Sequence, residues 1–124
     1  MKRILFIDDE KDPALFLDPD GGESTLSIAK SYDSAICFLE SSKDWDEIYL
    51  DGDLGNTTKG GFQVLIWMKE HDYRPKLMHL ISNSNWAVEM MTEFLVSDMN
   101  MEIMFTPNHT DRVTLQEKRA DVNI

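Results

Sequence analysis

Three observations predict an open, doubly wound α/β fold. Short apolar runs recur along the chain, and most end in polar or acidic residues. Helical spacing of apolar residues separates several of these runs. The run Glu47-Ile48-Tyr49-Leu50 stops at Asp51-Gly52-Asp53-Leu54-Gly55, a strand ending in carboxylates and a turn. Buried strands alternating with helices form a parallel sheet, because parallel neighbours need crossover connections. The 124 residues suit one domain spanning 1–124, and 42% apolar residues suffice for a core.

Taken in order, Ile4–Ile7 is a continuous apolar run that reads as a strand buried on both faces. Residues 10–25 carry Pro13, Pro19, Gly21 and Gly22, which leave room for a loop with at most a helical turn at Ala14–Leu17. Leu26–Lys30 reads as a short edge strand. Ser31 is a helix cap, followed at helical spacing by Ala35, Phe38 and Leu39. Ile48–Asp51 is the central strand, and Gly52–Gly61 is a glycine-rich loop. Phe62, Leu65, Ile66 and Lys69 lie on a helix that Tyr73-Arg74-Pro75 stops. Leu77–Ile81 is the next strand. Ala87, Met90, Met91, Phe94 and Leu95 give the clearest amphipathic helix. Met101–Phe105 is the last strand expected, and a sparse apolar pattern from Thr110 to about Val122 predicts a weak final helix.

With right-handed crossovers this alternation gives a three-layer, five-stranded parallel sheet with helices on both faces. Its flavodoxin-like strand order is 2-1-3-4-5, and the first helix is reduced or replaced by a loop. In that order the first and third strands are neighbours. Asp8, Asp9 and Asp51 then converge where ligands bind in such sheets, at the carboxyl ends of the strands. Three carboxylates there suit Mg²⁺, which takes oxygen ligands and shares them with phosphate and water. Asp53, two residues on, is positioned to add a ligand. Ser82 and Asn83, at the end of the fourth strand, are positioned to bond phosphate oxygens or to cap the helix that follows.

Composition limits the function classes. Twelve Lys and Arg face 23 Asp and Glu, a net charge of −11. That surface repels a nucleic-acid backbone, so nucleic acid is not the expected partner. The longest apolar runs are too short to span a bilayer. Met1-Lys2-Arg3 leads into four apolar residues and then acids, which is not a signal peptide. A single cysteine, Cys37, forms no internal disulfide. The expected location is therefore the cytoplasm. His79, on a buried strand, reads as a hydrogen-bonded core residue, and the methionines Met90, Met91, Met99, Met101 and Met104 read mostly as core filling.

The strand ends resemble those of response-regulator receiver domains. Asp8-Asp9 stands where receivers carry the acidic pair, Asp51 at the phospho-accepting aspartate, and Ser82 at the Ser or Thr ending strand four. Thr106-Pro107 stands where receivers have Lys-Pro. The nearer resemblance is to a receiver offshoot that processes cyclic phosphates. It is carried by Ile4–Pro13, Ala29–Ala35 and Leu50–Gly55 with Gly60-Gly61. Gly52 and Ile81 stand where that offshoot tends to have histidines. The resemblance implies a Mg²⁺-dependent site that binds or processes a phosphorylated small molecule, a cyclic phosphate or nucleotide. Asp51 would be its nucleophile or phospho-acceptor, with Lys59 or Lys11 replacing the absent lysine. Two other classes stay open: an atypical phospho-acceptor signalling domain, and a module that works by binding a protein partner. Oligomeric state is not readable from the sequence.

Overall fold

The computed structural model describes residues 2–16, 23–55, 58–104 and 113–118. In chain order the elements are β1 (Lys2–Ile7), a 3-10 turn (Pro13–Leu15), β2 (Ser24–Ala29), α1 (Tyr32–Ser41), β3 (Glu47–Leu50), α2 (Gly61–Glu70), β4 (Leu77–Leu80), α3 (Asn85–Glu93), a π-helical turn (Phe94–Asp98), β5 (Met101–Met104) and β6 (Val113–Glu117). The α/β class and the first four strand positions are as expected. The 3-10 turn, capped by Asp12 accepting from the Ala14 N–H, is what remains of a first helix. Ser31 caps α1 by accepting from the Ser34 N–H, and the Ser34 hydroxyl returns the contact to the Ser31 N–H. Two backbone donors at that helix start are thereby satisfied.

The sheet has six strands in the order β2-β1-β3-β4-β6-β5, which corrects the expected five. β2, β1, β3 and β4 run parallel, whereas β6 pairs antiparallel with both β4 and β5. The expected final helix is therefore wrong at Val113–Glu117. The same spacing that makes a poor helix makes a good strand. Alternate residues face opposite sides, so Leu115 enters the main core while Thr114 meets His79 on the other face. β6 occupies the place beside β4 expected for β5, and β5 becomes an edge. The Thr106-Pro107 position lies outside the described residues.

One sheet face carries Leu5, Ile7, Ile48, Leu50, Met78, Leu80 and Leu115, and all three α-helices pack on it. Val64, Leu65 and Met68 of α2 and Met91 of α3 are fully enclosed there, as are Leu95, Met99 and Met101. Met68, Met91, Met99 and Met101 therefore fill core, as their flexible thioethers suit. Met90 lies partly exposed. The opposite face has a smaller apolar group, Ile4, Phe6, Tyr49 and Ile81, against which Phe16 packs from the 3-10 turn. Among the described residues no α-helix covers that face. No helix there is long and apolar enough to cross a membrane.

Candidate acidic site at the strand ends

β1 and β3 are in parallel register with Ile7 opposite Leu50. One step beyond that pair, the Asp8 N–H donates to the Ala29 carbonyl and the Asp51 N–H to the Ile7 carbonyl, each at 3.0 Å. The sheet ladder thus fixes both acidic residues before any side-chain contact is considered. Asp8, Asp9 and Asp51 each offer a carboxylate oxygen within 4.8 Å of the others. Asp8 and Asp51 are buried and Asp9 is half-buried. The convergence expected from the strand order is present.

The Asp8 carboxylate is divided in its roles. Oδ1 accepts from the N–H groups of Glu10 and Lys11, at 2.8 and 3.0 Å, which turns the chain sharply after β1. Oδ2 is buried and accepts no hydrogen bond; its nearest counter-charge is the Lys11 ammonium at 3.3 Å. A buried carboxylate oxygen without a donor is costly, and a cation is its natural complement. The Lys11 ammonium also donates to Asp51 Oδ2 at 3.1 Å. Of the two lysines left open by the sequence, Lys11 reaches the carboxylates, and Lys59 lies over the Tyr32 ring, 5.2 Å from its centroid. The positive charge beside these two carboxylates comes from the loop after β1.

The electrostatics follow from two negative groups and one positive group in a partly dry site. Burial pushes the Asp51 carboxyl above its ordinary value and Asp8 adds to the rise, while Lys11 opposes it without cancelling it. Burial works against the Lys11 ammonium, but its bond to Asp51 and the charges of Asp51 and Asp8 outweigh that, so its pKa is raised. One lysine does not neutralise three carboxylates. The donor set, hard oxygens on adjacent strand ends with one buried oxygen accepting no hydrogen bond, fits Mg²⁺.

Glycines shape the rim. Gly55 has φ of 76°, and a Cβ there would come within 2.8 Å of Asp9 Oδ2, so the turn needs glycine both for its backbone and for the room it leaves Asp9. A Cβ on Gly61 would collide with the Asp51 carbonyl, so α2 begins pressed against the end of β3.

The remaining predicted residues are placed as follows. Asp53 is exposed, and its Oδ1 accepts from the Gly55 N–H at 2.9 Å; it lies outside the carboxylate cluster. Ser82 is buried beside Gly52, its Oγ 3.3 Å from where a Gly52 Cβ would stand. It accepts from the Ser84 N–H, and Ser84, not Ser82 or Asn83, caps α3. Asn83 is exposed. His79 is a core residue on the opposite face, as expected: Nε2 meets Glu47 Oε1 at 2.6 Å and Nδ1 meets the Thr114 hydroxyl at 2.8 Å. The part of this network that sequence reasoning missed is Glu47. Its signal was a charged residue opening an otherwise apolar strand.

A mostly parallel α/β sheet with paired acids just past strand one and an aspartate just past strand three is the arrangement of a receiver domain. The family model described as cyclic-phosphate processing receiver domain matches residues 3–97, and the chain belongs to that family. β5 and β6 lie beyond the matched span. No curated protein and no solved structure matches the chain.

Proposed function

We propose that the domain binds a phosphorylated small molecule, a cyclic phosphate, through Mg²⁺ held by Asp8, Asp9 and Asp51, and opens the phosphate ring. The observation that carries the reading is the buried Asp8 Oδ2, which accepts no hydrogen bond and faces the shared Lys11 ammonium at 3.3 Å, inside a three-carboxylate group. The family's description supports the substrate class. A bound divalent cation supplies positive charge against the phosphate oxygens. The chain's own residues do the rest. Asp51 acts as nucleophile: a carboxylate oxygen bonds to phosphorus, one ring P–O bond breaks, and the freed oxygen takes a proton from water. Hydroxide from that water then displaces the carboxylate from phosphorus, so the net reaction adds one water and transfers no electrons. Lys11 offers its ammonium to the phosphoryl oxygens, and the Ser82 hydroxyl is a second donor at the same strand ends.

The test is a thermal melt with increasing Mg²⁺. A ligand bound only by the folded state, at one hundred times its Kd, stabilises by about 2.7 kcal/mol. The wild-type Tm is expected to rise, and Asp8→Asn and Asp51→Asn to lose the rise while remaining folded. A wild-type melt indifferent to Mg²⁺ overturns the metal site. A magnesium-bound protein that neither binds nor opens any cyclic phosphate overturns the substrate assignment.

A further inference from the structure

Next to the carboxylates, on the α2–α3 side, lies a cavity of about 320 Å³ lined by Gly52, Gly60, Phe62, Gln63, Trp86, Ala87, Met90 and Met91. Its volume is at the lower end of the range for small-molecule pockets. Gly52, the residue directly after Asp51, forms part of its lining. A Cβ on Gly52 would point toward Ala87 Cβ at 3.0 Å, Ser82 Oγ at 3.3 Å and Met91 Cε at 3.4 Å, so glycine is what keeps this corner open. Trp86 stands at the rim with 70% of its surface exposed, and Met90 is 36% exposed. Large apolar side chains at that exposure gain by being covered. Gln63 accepts from the Gly60 N–H at 2.9 Å through its carbonyl oxygen, which leaves its NH₂ end as a donor to a ligand.

We propose that this cavity is a subsite for a planar aromatic ring, a nucleobase, carried by the phosphorylated ligand, with the ring stacked on Trp86 and enclosed by Phe62, Met90 and Met91. The inference rests on the proposed function, which places the phosphate at Asp51. Three features select a ring over an aliphatic chain or a peptide. The cavity is too small for a helix or strand. One wall is an indole, whose flat face stacks on every base. The Gln63 amide supplies an edge donor of the kind that reads ring nitrogens and carbonyls.

The experiment compares three probes by calorimetry in saturating Mg²⁺: cyclic adenosine monophosphate, cyclic glycerol phosphate and adenosine. They are titrated into wild type, Trp86→Ala, Trp86→Phe and Asp51→Asn. Trp86 is mostly exposed, so its variants are expected to fold, and an unchanged Tm checks this. In wild type the nucleotide should bind more tightly than cyclic glycerol phosphate. Trp86→Ala should weaken the nucleotide on the order of tenfold and leave cyclic glycerol phosphate unchanged. Trp86→Phe should recover most of the loss, because a ring is restored. Equal affinity of wild type for nucleotide and cyclic glycerol phosphate overturns the subsite while the phosphate reading stands. Adenosine and nucleotide binding alike, with Asp51→Asn indifferent, overturns the phosphate reading while the subsite stands. No binding of any probe overturns both.

Discussion

Two buried acidic groups, at opposite ends of the same strand, have been given opposite electrostatic fates. At the start of β3, Glu47 accepts from His79 at 2.6 Å and pairs with Lys2 at 2.6 Å. Its pKa is lowered to about 2, through the bond to His79 first and the Lys2 contact after, against the cost of burial. Just past the other end of β3, Asp51 has one lysine to share with Asp8, and its pKa is raised. The first group is satisfied by the chain itself. The second carries surplus negative charge. A structural ion pair looks like the first, and a group of carboxylates able to hold a cation looks like the second.

The largest expected effect comes from breaking the satisfied group. His79→Ala removes one partner of Glu47 while Lys2 remains, leaves the Thr114 hydroxyl without its ring nitrogen, and takes away the ring stacked on Tyr49 at 4.2 Å. Breaking a buried pair costs about 3–5 kcal/mol, and urea denaturation should show a loss of that order. A loss below about 1 kcal/mol would mean that the network is ornamental, and the contrast with Asp51 would fail.

Acid titration gives the next effect. The folded pKa of Glu47 lies below its ordinary value of 4.5, so the folded state holds the ionised form more strongly than the unfolded chain does. The sign follows: this contribution is complete above pH 4.5 and is lost as pH falls from there toward 2. It amounts to roughly 3 kcal/mol. Tm measured across that window should fall less steeply in Glu47→Gln than in wild type. Parallel curves would show that other carboxylates govern the acid limb.

The smallest effect sharpens the other side of the comparison. Lys11→Met removes the cation already paired with Asp51 and Asp8. Without Mg²⁺ the variant should be less stable by about 1 kcal/mol, the scale of one charge-assisted contact in a partly exposed site. In Mg²⁺ it should recover more than wild type does, because the ion no longer shares its ligands with an ammonium. Equal magnesium responses in the two proteins would show that Lys11 and the metal do not compete.

Most of the site was legible because strand ends are a local signal. Asp8 and Asp51 each close an apolar run, and parallel register carries that one-dimensional pattern directly into adjacency. Ser31 as a cap and His79 as core followed from equally local chemistry. What was illegible depended on pairing choices. A five-residue stretch, Val-Thr-Leu-Gln-Glu, is compatible with a weak helix or an alternating strand, and only the free edge of β4 selects the strand. The choice of Lys11 over Lys59 depended on which loop folds back over the carboxylates. Glu47 was seen as the start of a strand; its partner lies 32 residues away, and nothing local announces it.

The sequence by itself determined the alternation of strands and helices, the acidic strand ends and the negative surface, because each rests on neighbouring residues and on period. The tertiary structure decided the sixth strand, the lysine that reaches Asp51, the helix-bearing face and the hollow beside Gly52. Those are outcomes of competition between distant segments for the same edge, charge or space, and that competition is settled only when the chain is packed.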